Sequence, residues 1–150
     1  CMEIIAQKYK LKLVKEPEGK YKTGYKINSP VRAYEAFIEM LELHQQAEEV
    51  FAILTVDIKS NVTGVFEVSR GSINKSLVSP REVFKRAILN NACGIILGHN
   101  HPSGDITASD EDIKITKKLI EAGEVIGIRV VDHIIVGDNK YSSLREENLI

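Results

Sequence analysis

Long apolar runs are missing from this 150-residue chain. None approaches the ~18 residues that a membrane-spanning helix requires, so no span is expected. The first residues also lack the long apolar core of a secretory signal. Cysteine is scarce: Cys1 and Cys93 are too few for a disulfide framework. Cys93 lies in an apolar stretch and reads as a buried free thiol. These absences together indicate a reducing, cytoplasmic setting. A bulk excess of one charge is absent too, since the net charge is −1, so nothing global marks a nucleic-acid binder. There are no internal repeats and no low-complexity tract. What is present, 43% apolar and 27% charged residues, suits one soluble domain with a real core.

Charge is unevenly spread. Lys8, Lys10, Lys12, Lys15, Lys20, Lys22 and Lys26 face only Glu3, Glu16 and Glu18 in the first 26 residues. Lysines on an edge strand block unwanted pairing; the alternative is a phosphate-binding arm. KYKLKLVK (8–15) alternates polar and apolar and predicts a half-buried strand, followed by a turn-rich stretch over 16–24. Ser29-Pro30 marks a helix start, and the helix is expected to reach about Gln46 with Ala33, Ala36, Phe37, Met40 and Leu41 on one face. EVFAILTVD (49–57) reads as a buried strand, and VFEVSRG as its returning hairpin partner. Ser79-Pro80 opens a second helix that carries Val83, Phe84, Ala87 and Ile88. CGIILG (93–98) is too short for a helix and fits a central strand. A helix is expected over about Asp110 to Glu124, a strand over 126–137, and a short strand or loop at the end. Strands alternating with helices give an α/β class, a sheet with helices on its faces.

The segment HNHPSGDITASDED (99–112) concentrates the chemistry. Ser109 with Asp112 three residues on has the form of a capping box, and acids suit the first turn of a helix. Capping does not account for all three acids. At about 100° per residue, Ile115, Thr116, Leu119, Ile120, Ala122 and Gly123 cluster around the direction of Asp112. Asp112 therefore points inward, Asp110 points to the polar side, and Glu111 lies near the border. An inward carboxylate must be paired, hydrogen-bonded or metal-bound. His99 and His101 follow a buried strand, where ligand sites of α/β sheets gather. If the backbone stays extended, both rings face one side and Asn100 points away. Two imidazoles, one carboxylate and an open position form the ligand set of a catalytic zinc centre.

H-N-H-P-S-G followed by S-D-E-D fits the pattern H-x-H-x7-S-x2-D, and so resembles the JAMM (MPN-plus) metalloprotease domain. The surrounding text, SPREVFKRAILNNACGIILGHNHPSGDITASDEDIKITKKL, then VVDHIIVGD, then YSSLREENLI, resembles the RadC-type proteins of bacteria, once labelled DNA-repair proteins. The resemblance covers roughly residues 30 to 150. It implies a mixed sheet flanked by helices, a JAMM/MPN-like, cytidine-deaminase-like sandwich over 29–150; the residues ahead of it, 1–28, read from their own pattern as a strand and basic arm. RadC-type proteins often carry a helix-hairpin-helix region ahead of this domain, so the chain is expected to be a short form or a fragment. The resemblance also implies one zinc ion on His99, His101 and Asp112, with water as the fourth ligand. Ser109 matches the serine that hydrogen-bonds that water and helps stabilise an oxyanion. The family's general base is a glutamate near the start of a buried strand, and Glu49 in QAEEVFAILTVD matches it. Glu48 is its nearest rival; Glu67 and Glu82 are more distant ones, and Glu82 also fits a first-turn helix acid. His133 reads as a hydrogen-bonded sheet histidine, with a supporting role at the metal as the alternative. His44 fits a helix C-terminal dipole. SRGSIN (69–74) is either a polar loop or part of a peptide-binding groove.

Four functions compete. The leading one is a zinc hydrolase that cleaves a peptide or isopeptide bond of a peptide or protein substrate. The second is a DNA-associated repair or recombination protein using the basic arm, with or without metal-dependent nuclease activity. Two-metal nucleases gather several acids around Mg²⁺, whereas this segment is histidine-rich and suits zinc. A zinc deaminase would need H-x-E and P-C-x-x-C, and neither occurs. A catalytically dead scaffold is disfavoured by the complete ligand set.

Overall fold

The computed structural model describes residues 6–10, 12–15, 25–71 and 78–150. The first helix, α1 (Pro30–Leu41), starts where the Ser-Pro signal places it, with Ser29 extended and Pro30 in the first turn. It stops at Leu41 and does not run on to Gln46. Glu42 adopts the left-handed conformation (φ 49°), its N–H returns to the carbonyls of Phe37 and Ile38, and a short 3₁₀ turn over Leu43–Gln45 follows. That turn buries Leu43 completely. Strands β1 (Val50–Val56) and β2 (Val62–Arg70) form the expected antiparallel hairpin. Next come α2 (Pro80–Leu89), β3 (Gly94–Asn100), α3 (Asp110–Ile126), β4 (Arg129–Val136) and β5 (Tyr141–Ser143).

The five strands make one mixed sheet in the order β2-β1-β3-β4-β5. Only β3 and β4 run parallel, joined through α3; every other neighbour is antiparallel. β1 and β3 occupy the middle and are buried at all seven positions each. Side chains alternate between the two faces of a strand, and each face has its own core. Val50, Ala52, Leu54, Val56, Ile96, Ile134 and Val136 pack under α1. Phe51, Ile53, Ile95, Leu97 and Val130 pack under α2 and α3, against Val83, Phe84, Ala87 and Leu119. The two-residue period then decides the rest of β3: His99 falls on the α3 face and Asn100 on the α1 face. Gly98, just before His99, must be glycine, because a Cβ there would lie 2.4 Å from the Phe37 ring of α1.

Several expectations need correction. Residues 8–10 and 12–15 form no strand. Tyr9, Leu13 and Val14 are exposed, so the alternating pattern has no packed surface to bury its apolar side. Leu11 and the turn expected over 16–24 lie outside the described residues. Cys93 is exposed, not buried, because it sits in the turn ahead of β3 and the buried strand starts at Gly94. Ile88 is exposed on α2. Ile126 belongs to α3, which ends at Gly127 in the left-handed conformation; β4 begins two residues later, at Arg129.

Candidate metal centre

The helix α3 begins with Ser109 as its N-cap. The Ser109 Oγ accepts from the Asp112 N–H at 3.1 Å, and the Ser109 N–H donates to Asp112 Oδ2 at 2.8 Å. This reciprocal pair is the expected capping box, and it fixes the Asp112 carboxylate at the buried start of the helix. Asp112, Thr116, Leu119 and Gly123 are buried, as the helical geometry predicts.

His99 and His101 come to the same point from the end of β3. The chain stays extended there, with the His101 N–H donating to the Val136 carbonyl at 3.0 Å. The two Nε2 atoms stand 2.9 Å apart. His99 Nε2 is 3.4 Å from Asp112 Oδ1, and His101 Nε2 is 3.5 Å from Asp112 Oδ2. Glu49, just before β1, joins from the neighbouring strand. One potential ligand atom each from Glu49, His99 and His101 lies within 4.8 Å of the others, so this group could hold a metal ion.

Electrostatics in the cluster favour positive charge between the rings. Burial would push the Asp112 carboxyl up, but the neighbouring His101 and His99 rings outweigh it and hold it well below the usual carboxylate range. The Asp112 carboxylate in turn raises His101 above its ordinary value against the opposing effect of burial, helped by the Asp105 carbonyl. His101 Nδ1 donates to that carbonyl at 2.7 Å, so it is Nε2 that carries the lone pair once the ring is neutral.

The candidate bases separate by geometry. Glu48 is exposed, with its carboxylate near Gly71. Glu67 pairs with Arg70 on the surface, and Glu82 pairs with Lys85 and Arg86 in the first turn of α2. Glu49 alone of the four faces the histidines in that group. His44 lies in the 3₁₀ turn, and among the described residues its buried Nδ1 meets no hydrogen-bond partner. Of SRGSIN, Ser69 and Arg70 end β2 and Gly71 follows, while residues 72–74 lie outside the described residues.

Two contributors escape a sequence reading. Asn100 does point away from the rings, and it has a task there. Its Oδ1 accepts from the Val50 N–H at 2.7 Å, and its Nδ2 donates to the Glu48 carbonyl at 2.9 Å. It therefore clamps the backbone on both sides of Glu49. Thr116 is the other: its hydroxyl bonds to both the Asp112 carbonyl and His133. His133 in turn meets His99 Nδ1 at 2.7 Å, and burial pushes its pKa well below the ordinary histidine value. The only signal for these contacts is the polar character of residues at buried positions, because the partners are remote in sequence.

A family model for the RadC-like JAB domain matches residues 27–149. The chain belongs to this family. Its mixed five-stranded α/β sheet is the JAB/MPN-like fold expected of a member. It is 49% identical over 127 residues to a UPF0758 protein of Alkaliphilus oremlandii, covering 85% of this chain and 54% of that protein. It is 52% identical over 111 residues to a UPF0758 protein of Desulforamulus reducens, covering 74% and 49%. A UPF0758 protein of Moorella thermoacetica is 50% identical over 109 residues, covering 73% and 48%. The chain thus spans about half the length of the curated relatives it matches.

Proposed function

We propose that this RadC-like JAB domain is a zinc-dependent hydrolase that cleaves a peptide or isopeptide bond. One observation carries the reading: two imidazole nitrogens converge on one point beside an ionised, largely buried carboxylate. Ligands about 2.0–2.1 Å from a tetrahedral zinc stand roughly 3.3 Å from one another. The imidazole–carboxylate separations of 3.4 and 3.5 Å fit that figure, and the 2.9 Å imidazole pair needs only a small parting. A histidine-rich donor set with one carboxylate suits zinc better than magnesium. His99, His101 and Asp112 would hold the ion, which supplies a Lewis acid and makes a water acidic near neutral pH.

The remaining chemistry falls to the chain. Glu49 stands beside the ligand pair, where its carboxylate can take a proton from an attacking water and return it to the leaving amine. Ser109 commits its Oγ lone pair to the helix N-terminus, so its O–H can donate to the oxygen that gains charge in the transition state. Elemental analysis of wild type beside His99→Ala and Asp112→Ala tests the metal, with stoichiometric zinc expected only in wild type. A peptidase screen with Glu49→Ala as control tests the reaction. Zinc-free wild type that fails to reload after chelation would overturn the reading.

Exposed lysines favour a second reading, association with DNA through the arm bearing Lys8, Lys10 and Lys12. It requires salt-dependent DNA binding that disappears when these three are neutralised.

A further inference from the structure

Three short hydrogen bonds run in series behind the cluster, through fully buried groups. Thr116 Oγ1 lies 2.6 Å from the Asp112 carbonyl oxygen, and again 2.6 Å from His133 Nδ1. His133 Nε2 lies 2.7 Å from His99 Nδ1. Thr116, His133 and His99 are each 0% exposed. A hydroxyl has one proton and a neutral imidazole has one, so the series can be protonated in only two directions.

The Asp112 carbonyl decides between them. If the Thr116 hydroxyl donated to His133, its oxygen would face the carbonyl oxygen at 2.6 Å with no proton between two acceptors. The hydroxyl must therefore donate to the carbonyl. Thr116 Oγ1 then accepts from His133 Nδ1–H, and His133 Nε2 becomes a bare acceptor for His99 Nδ1–H. His99 is left with an unprotonated Nε2 aimed at His101 and Asp112. The opposite direction would place a proton on that nitrogen and close it to a metal. Phe51 keeps both rings in place, stacking on His99 at 6.0 Å between centroids and meeting His133 edge-on at 5.5 Å.

We propose that His133, itself oriented by Thr116, is a positioning residue that selects the His99 tautomer able to bind metal. The inference rests on the metal reading above and extends it to residues outside the ligand set. It also links the two ligand-bearing elements, because the series starts at the backbone of Asp112 on α3 and ends at His99 on β3.

Two measurements test it. Long-range ¹H–¹⁵N spectra of histidine-labelled wild type report each ring's tautomer. His133 is expected as the Nδ1–H form and His99 as Nδ1–H, before and after Zn²⁺ is added. A His133 ring protonated at Nε2 would overturn the proposal and needs no variant. Zinc affinity is then read by competition with a chromogenic chelator. Thr116→Val and His133→Leu are each expected to bind Zn²⁺ about 10–100-fold more weakly. His133→Gln, whose amide oxygen can accept from His99, should recover part of the loss; a purely space-filling role predicts no such rescue. Wild type that binds no zinc removes the metal reading and this inference together. Zinc binding that needs His99 and Asp112 but is unaffected by Thr116→Val and His133→Leu removes this inference alone.

Discussion

At the scale of single residues, the cluster divides into groups that hold charge and one that can move a proton. Glu49 and Asp112 both lie near the histidines, and their roles separate by substitution. Asp112→Asn should lose the metal, because the neutral amide cannot offset the ion's charge. Glu49→Gln should retain stoichiometric zinc and lose about 10²–10⁴-fold in peptide hydrolysis, the usual contribution of a general base. A Glu49→Gln protein without zinc would instead make Glu49 the third ligand. Acidity should act through His101. Asp112 raises its pKa, with the Asp105 carbonyl adding to the effect, and a metal must displace the proton that His101 then carries. Below that raised value each zinc bound releases a proton, so apparent affinity should fall by about tenfold per pH unit; above it affinity should level off. Asp112 is held low, stays ionised over this window and adds no slope. A chelator competition from about pH 8 down to about pH 5.5 checks the sign; affinity that stays flat or rises as pH falls would contradict it.

At the scale of elements, β3 and α3 deliver the ligands and β1 delivers Glu49, with Asn100 joining β3 to the start of β1. Replacing Asn100 with Leu leaves the buried Val50 N–H without its acceptor, a loss of about 1–3 kcal/mol. The cost should appear in denaturant unfolding, and activity should fall further than stability because Glu49 loses its clamp. Much of this level was legible in the sequence. The Ser-Pro starts, the hairpin, the capping box and the inward turn of Asp112 all follow from local rules, and the structure has each of them. The failures share a cause: they depend on partners that local rules do not see. The end of α1 is set by Glu42 turning left-handed so that Leu43 can bury, without a glycine or proline to announce it. The strand expected over 8–15 has the right alternation, but its described apolar residues Tyr9, Leu13 and Val14 are exposed and pack on nothing. His133 meets His99 because β4 pairs parallel to β3 in a register that sets Leu97 opposite His133 and His99 opposite Ile135. A one-residue slip would turn His133 to the other face and break the series.

At the scale of the whole molecule, the cluster sits where the antiparallel half of the sheet passes to its one parallel pair. The long crossover that parallel pairing demands carries α3 back over the sheet and sets Asp112 above the end of β3. The ligands therefore come from a central strand and from a helix held mainly by one face of packing. A metal on His99, His101 and Asp112 is a cross-link between two layers, and it binds the folded arrangement only. At a free zinc concentration one hundred times its Kd, such a link adds about 2.7 kcal/mol, which for a domain of this size raises Tm by roughly 5–10 °C. Chelation should reverse that shift. It should do so unevenly, since the doubly buried centre of the sheet keeps its own cores on both faces. Hydrogen exchange should quicken first in residues 101–112, which lie between the two layers, and last in β1 and the Gly94–Leu97 part of β3. His99→Ala should melt at one temperature with or without zinc. An equal zinc-induced rise in Tm for wild type and His99→Ala would show that the stabilising ion binds elsewhere.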